Sequence, residues 1–85
     1  MNYSTAADIP VRVTSENASC ERRVTPSWTI AELKNKLEPV TGIPPSSQHL
    51  TLRVPHAQPI PISSENEETT QIAAFPLQPY IELHV

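Results

Sequence analysis

The clearest pattern in the chain is a helical spacing of apolar residues near its centre. The apolar positions recur at intervals of three, four and three residues, which places them on one stripe of an α-helix; they are Ile30, Leu33, Leu37 and Val40. Ser27 or Thr29 caps the start, and Glu32 follows Thr29 at the spacing of a capping box. Gly42 lies where a left-handed helix end favours glycine, and Pro44-Pro45 prevents continuation. The pattern therefore predicts one helix that carries the core.

Alternation of apolar and polar residues predicts strands on both sides of this helix. The predicted strands are residues 9–14, 20–25, 48–54, 60–62 and 80–85. The second strand is irregular because Arg22 shares a face with Val24 and Cys20. Either Arg22 lays its aliphatic stem over the core and keeps its guanidinium in water, or a β-bulge interrupts the strand.

The remaining segments connect these elements. Residues 1–8 are polar and predict a flexible leader, and residues 15–19 predict a turn that joins the first two strands as a hairpin. Residues 63–70 are acidic, which is typical of a solvated loop, with an acidic docking site as the alternative. Residues 70–75 predict one short helical turn that ends at Pro76.

This order of elements predicts an α+β domain over residues 9–85. One main helix buries its stripe most economically across one face of a mixed sheet of four or five strands. The first and last strands then lie parallel in the middle, because a helical connection permits parallel pairing and a hairpin does not. This is the β-grasp arrangement.

Composition and charge narrow the possible functions. With 85 residues the chain forms one small domain, and its formal net charge of −3 argues against a nucleic-acid surface, for which Arg22-Arg23 is the only adjacent basic pair. Cys20 is the single cysteine, so an internal disulfide is impossible, and the absence of such a staple indicates an intracellular domain. No apolar run has the length of a membrane span or a signal peptide.

Sequence patterns of catalysis are missing. His49, His56 and His84 fall on different elements without metal-ligand spacing, and no glycine-rich loop offers a phosphate cradle. Cys20 is better explained as a strand thiol facing the core than as a nucleophile. Trp28 lies beside the helix start, where it either packs or serves as a partner hot spot. We therefore expect neither an enzyme nor a cofactor.

Several blocks of the sequence resemble ubiquitin. The helix entry from Val24 to Ile30 and the segment from Gly42 to Leu50, which contains Gly-Ile-Pro-Pro, are similar to the corresponding parts of that family. The resemblance covers residues 9–85 and implies a ubiquitin-like domain. Ubiquitin-type modifiers end in a flexible Gly-Gly tail, whereas this sequence has no glycine after Gly42. Thr51 and His84 occupy two places of ubiquitin's exposed aliphatic patch and make it polar.

Within this family the chain is similar to the N-terminal ubiquitin-like domains of tubulin-folding cofactor B. Residues 20–24 match a charged second strand of the Ser-Glu-Lys-Arg type, and residues 28–34 match a helix start of the Leu-Thr-Ile-Ala-Glu-Phe-Lys type. A glycine-rich CAP-Gly domain follows in that family, so the resemblance implies the excised N-terminal domain of a longer protein.

The resemblance to cofactor B implies a monomeric, cytoplasmic and cytoskeleton-associated protein-binding domain. Its implied partners are α-tubulin and tubulin-folding cofactor E, in α-tubulin folding and in heterodimer assembly or disassembly. The expected partner surface comprises the exposed side of the sheet and its rim, with Arg22, Arg23, Trp28, Thr51 and His84. Two alternatives remain open at this point: a modifier cut before its Gly-Gly tail, and a domain that docks on the proteasome.

Overall fold

A computed structural model describes residues 8–16 and 18–85 of the chain. The elements, in chain order, are β1 (Ile9–Thr14), β2 (Ser19–Val24), α1 (Ile30–Thr41), a 3₁₀ turn (Pro45–Ser47), β3 (Leu50–Arg53), β4 (Ile60–Ile62), a second 3₁₀ turn (Ile72–Ala74) and β5 (Glu82–His84). Residues 1–7 of the predicted leader, and Asn17 in the predicted turn, lie outside the described residues. Asp8, the last leader residue, accepts a hydrogen bond from the Thr25 hydroxyl at 2.9 Å.

The strands form one mixed sheet in the order β2-β1-β5-β3-β4. β1 pairs antiparallel with β2 and parallel with β5, so the first and last strands lie side by side in the middle. β3 pairs antiparallel with both β5 and β4. Because a parallel pair needs a long connection, the segment containing α1 supplies the crossover. The predicted β-grasp fold is confirmed.

The core lies between α1 and one face of this sheet. Ile30, Leu33 and Leu37 of the predicted stripe are buried, and Val40 packs at the margin of the core. They meet buried aliphatic residues from every strand; these are Val11, Val13, Val24, Leu50, Leu52, Ile62 and Leu83. Complete burial of one such side chain stabilises the fold by about 1.5–3 kcal/mol, so this stripe is the main link between the helix and the sheet.

Both ends of α1 have the predicted caps. The Thr29 side chain accepts a hydrogen bond from the Glu32 amide at 3.2 Å, and the Glu32 carboxylate accepts one from the Thr29 amide at 2.8 Å. Gly42 has a φ of 76° and its amide donates to the Glu38 carbonyl at 2.7 Å. The first helical amides are satisfied as well, since Ala31 donates to the carbonyl of Glu67 at 3.0 Å. The acidic loop is therefore attached to the helix start.

Three sequence predictions need correction at element ends. β2 starts one residue earlier and continues without a bulge, with Val11 directly opposite Arg22. Gln48 was expected to begin the third strand, but it precedes β3, and its side chain is buried against α1 and the loop that follows the helix. Tyr80 was expected to begin the last strand, but it lies in a turn with a φ of 66°, outside the extended region. The alternation of apolar and polar residues extends beyond the strand ends, into residues whose turn conformation keeps them out of the sheet's hydrogen bonds.

Candidate protein-interaction surface

The sheet presents a second face, directed away from α1. Cross-strand register places the residues between the buried positions on this side. We call it the outer face, and its members are Pro10, Arg12, Thr14, Ser19, Glu21, Arg23, Thr51, Arg53, Pro61, Glu82 and His84. It contains no large aliphatic side chain, so it offers hydrogen-bonding and charged groups instead of an aliphatic surface.

Glu82 organises the centre of the outer face. Its Oε1 lies 3.5 Å from Arg12 Nη2, and its Oε2 lies 3.4 Å from Arg53 Nη1. Each arginine comes from a strand adjacent to β5. The Glu82 side chain is only 19% exposed, against 58% for Arg12 and 51% for Arg53. Exposed ion pairs contribute about 0.2–1 kcal/mol each, so the arrangement orients the arginines more than it stabilises the fold.

A hydrogen-bonded chain extends this centre to His84. The Thr14 hydroxyl donates to Glu82 Oε2 at 2.7 Å and lies 2.9 Å from His84 Nδ1. A hydroxyl has a single proton, so with that proton directed to Glu82 the His84 Nδ1 must carry its own and donate to the Thr14 oxygen. Thr51 lies directly opposite His84 on the neighbouring strand. These contacts make a fixed polar surface at this part of the sheet.

Two β-turns with the same geometry border the outer face at one end. The Ala57 amide donates to the Val54 carbonyl at 3.2 Å, and the Ile81 amide donates to the Gln78 carbonyl at 3.2 Å. Each turn has proline in its second place, followed by His56 with a φ of 62° or by Tyr80 with a φ of 66°. A left-handed third residue after proline is the geometry of a type II turn, where glycine is favoured. Neither turn contains one.

Tyr80 projects from its turn beside the two arginines. It is the one large hydrophobic side chain exposed among the described residues, at 68%. It borders a depression of about 250 Å³ that Arg12, Arg53 and Glu82 also line. It borders a second depression, of about 220 Å³, on the side of Arg12 that faces β2. Tyr80, Arg12, Arg53 and Glu82 are called the Tyr80 patch below.

The structure brings together only some of the residues predicted from sequence. Thr51 and His84 are direct cross-strand partners on the outer face. Arg23 shares that face, but β1 separates it from His84, and β1 and β5 separate it from Thr51. Arg22 points to the opposite side of β2, and half-buried Trp28 lies before α1 with Lys36 Nζ 4.8 Å from the centre of its ring. The five residues therefore do not form one contiguous surface.

Sequence reasoning missed the Tyr80 patch. The alternation within each strand already placed Arg12 and Arg53 on the face of the sheet away from the core. Their shared neighbour Glu82 could not be identified, because cross-strand pairs depend on the register between strands. The more specific signal was the pair of Pro-Tyr and Pro-His steps at residues 79–80 and 55–56. A bulky residue after proline in a turn marks a position where the backbone conformation favours glycine.

The histidines, the cysteine and the acidic loop were the other candidates for chemistry in the sequence. Within residues 8–16 and 18–85, no group of three or more His, Cys, Asp and Glu side chains could hold a metal ion. Cys20 is a free, half-buried thiol packed against the core. In the acidic loop, Glu67 pairs with Lys34 Nζ at 2.9 Å. None of the described helices is both long and apolar enough to cross a membrane.

Comparison with known proteins assigns the family. A family model described as a ubiquitin-like domain matches residues 8–85. The chain belongs to the ubiquitin-like domain family. This ubiquitin-like domain is 36% identical over 74 residues to the cell polarity protein alp11 of Schizosaccharomyces pombe. The match covers 85% of the domain and 31% of alp11, so the chain spans about a third of that relative.

Solved structures of ubiquitin-like domains have the same fold. The C-terminal ubiquitin-like domain of mouse tubulin-specific chaperone e superposes with a TM-score of 0.78 and 13% identity, over 98% of this domain and 89% of that chain. The N-terminal ubiquitin-like domain of Drosophila melanogaster tubulin-binding cofactor B gives a TM-score of 0.70 and 19% identity, over 96% and 86%. At these identities the likeness establishes the fold.

Proposed function

We propose that this ubiquitin-like domain is a non-catalytic protein-interaction module of a tubulin-folding cofactor B-like protein. In this role it acts in the cytoplasm, associated with the cytoskeleton, on α-tubulin folding and on heterodimer assembly and disassembly with cofactor E. Support comes from the resemblance of its second strand and helix start to cofactor B, and from its structural likeness to domains of two tubulin cofactors. The 36% identity with alp11 over 74 residues adds a relative in sequence.

The observation that carries the proposal is the polar outer face. In ubiquitin the corresponding surface is an exposed aliphatic patch, whereas here Thr51, His84 and Glu82 lie at its centre. Receptors that bury aliphatic side chains would have to desolvate these polar groups, at a cost of about 1–3 kcal/mol for each one left unpaired. The face therefore favours a partner other than the usual ubiquitin receptors, the proteasomal receptors included.

Affinity capture tests whether the domain contributes to tubulin handling. The parent protein, with and without residues 1–85, is used to capture purified α-tubulin and cofactor E, and the bound amounts are measured. We expect deletion to reduce capture of at least one of the two. Unchanged capture of both would remove any binding role for this domain.

A fold-matched replacement separates a binding surface from a spacer. Residues 1–85 are exchanged for ubiquitin, which keeps the fold but restores the aliphatic patch. A surface role predicts that the exchange fails to rescue capture, because the outer face is lost. Full rescue would show that the domain only sets the distance between other parts of the protein.

A further inference from the structure

An aromatic side chain occupies a backbone position that disfavours it. A left-handed conformation costs an L-residue with a side chain roughly 1–2 kcal/mol, and bulky residues adopt it rarely. Tyr80 holds that conformation in its turn while most of its ring faces solvent. Its amide is fixed by donation to the Pro10 carbonyl, at 2.6 Å. The ring adds little to the core, so its presence at this position points to a role at the surface.

The two arginines beside the ring have unused hydrogen-bonding capacity. A guanidinium has five N–H donors in a planar fork. The Glu82 carboxylate contacts one terminal nitrogen of Arg12 and one of Arg53, and both arginine side chains are more than half exposed. On the outer face as a whole, the three arginines Arg12, Arg23 and Arg53 outnumber the two carboxylates Glu21 and Glu82. The Tyr80 patch therefore offers oriented cationic donors next to an exposed aromatic ring.

Charge is divided unequally between the sheet and the rest of the domain. Every arginine lies on a strand, at positions 12, 22, 23 and 53, where the only acidic residues are Glu21 and Glu82. The other acidic residues lie in α1, in the loops and before β1. The sheet is thus locally positive in a chain whose formal net charge is −3. A partner with negative charge is attracted to the sheet and repelled elsewhere, which orients it on approach.

We propose that the Tyr80 patch binds a carboxylate-rich, extended segment of a protein partner. Aspartate or glutamate side chains of the segment accept paired hydrogen bonds from Arg12 and Arg53, and its backbone packs on the Tyr80 ring. Glu82 keeps both arginines extended over the sheet before the segment arrives. The inference rests on the proposed function and names the chemistry of the partner. A nucleic acid is the less favoured polyanion, since a long phosphate backbone extends beyond the sheet to the acidic helix and loops, which repel it, whereas a short acidic segment stays on the sheet.

Titration of the isotopically labelled chain with a capped peptide of alternating glutamate and glycine tests this proposal. We expect saturable chemical-shift changes centred on Arg12, Arg53 and Tyr80, and none with the matched peptide of glutamine and glycine. Addition of salt should weaken the binding, since exposed charges carry it. Shifts that fall elsewhere, or equal shifts with the glutamine peptide, would overturn the proposal. Stronger binding of an oligouridylate RNA at the same residues would also overturn it.

Substitutions at the patch provide the matched comparison. Tyr80→Asn removes the ring but keeps a residue that tolerates the left-handed conformation, and we expect about tenfold weaker binding, typical of an interfacial aromatic anchor. Arg53→Gln should weaken binding about threefold, whereas Arg22→Gln, on the other side of the sheet, should leave it unchanged. Equal affinities for all three variants and the wild type would refute a role for the patch.

Different experimental results would refute the acidic partner and the tubulin-related role. If the peptide binds the patch and deletion of residues 1–85 leaves tubulin and cofactor E capture unchanged, the acidic-segment chemistry stands and the tubulin assignment fails. If deletion abolishes capture while Tyr80→Asn and Arg53→Gln in the parent protein leave it intact, the assignment stands and the patch is refuted. Dimerisation of the free domain through the same residues, measured by sedimentation, would refute an external acidic partner.

Discussion

Gln48 provides the sharpest test of how the fold is held together outside its apolar core. Its side chain is buried where α1 ends and the chain turns toward β3. Nε2 donates to the Lys34 carbonyl at 2.8 Å and to the Ile43 carbonyl at 2.9 Å. One amide therefore joins the helix to the loop that follows it. Replacement by leucine keeps approximately the same volume and removes both hydrogen bonds.

The magnitude of this change follows from the contacts. A neutral hydrogen bond contributes about 0.5–1.5 kcal/mol net, so losing two costs about 1–3 kcal/mol. Gln48 Oε1 has no hydrogen-bond partner among the described residues, and leucine removes this buried polar atom. That removal offsets about 1 kcal/mol, taken from the lower end of the cost of an unpaired buried group. With about 1 kcal/mol for each hydrogen bond, the middle of that range, the net loss is about 1 kcal/mol, and we expect Gln48→Leu to lower the free energy of unfolding by this amount.

Urea unfolding followed by circular dichroism measures this difference, with Gln58→Leu as the control. Gln58 is exposed, and such substitutions usually change stability by less than about 0.5 kcal/mol. The dependence of the unfolding free energy on urea should be unchanged, since both variants expose similar area on unfolding. A Gln48→Leu variant as stable as Gln58→Leu would refute the assigned role of the two hydrogen bonds.

A companion variant, Gln48→Glu, should destabilise the fold by an amount that depends on pH. A buried carboxylate facing two carbonyl oxygens has no proton to donate, so its pKa should rise above the ordinary glutamate value of about 4.3. The charged form is then destabilising above the folded-state pKa, and the loss shrinks as pH falls toward the unfolded-state value. We expect a loss of about 3 kcal/mol or more at neutral pH. A loss independent of pH would contradict this reasoning.

Three further predictions concern helix caps and turns. Thr29→Ala should lower the free energy of unfolding by about 0.5–2 kcal/mol because the capping hydrogen bond to the Glu32 amide is lost; urea unfolding checks this. Gly42→Ala should cost about 1 kcal/mol from backbone conformation alone, since an added Cβ would meet no atom within 4 Å; a loss above 2 kcal/mol would indicate a steric clash instead. Tyr80→Gly and His56→Gly should each raise the free energy of unfolding by about 0.5–1 kcal/mol, measured by urea unfolding, because each replaces a left-handed residue that has a side chain with glycine. A gain in neither variant would show that these turns are unstrained.

The helix and the central parallel pairing of the first and last strands could be predicted because each depended on patterns repeated over many residues. The stripe from Ile30 to Val40, the cap at Thr29 and the glycine at 42 all indicated the same helix, and it continues through Pro39. Proline loses one amide donor there, in the last turn, where Val40 packing and the Gly42 cap outweigh the loss. This helix could be predicted because several independent local signals agreed.

The parts that could not be predicted depend on contacts between residues distant in sequence. Gln48 looked like the polar start of a strand, because its two acceptors, at Lys34 and Ile43, are identifiable only once the helix and the following loop are positioned. The same holds for Glu82, whose arginines come from β1 and β3. Arg22 shows the opposite case, where parity alone correctly placed a charged residue on the core side of an edge strand.

The position of Glu82 explains how the outer face of a ubiquitin-like sheet can change its charge and polarity without a change of fold. β5 lies between β1 and β3, so any side chain on its outer face is adjacent to both neighbours. An aliphatic residue there would place apolar surface between Arg12 and Arg53, whereas the carboxylate holds an arginine from each side. The buried face is unaffected, because alternate residues of a strand point in opposite directions. Replacing Glu82 with leucine should therefore leave the core intact but release both arginines, weakening the orientation of the Tyr80 patch while adding apolar surface at its centre.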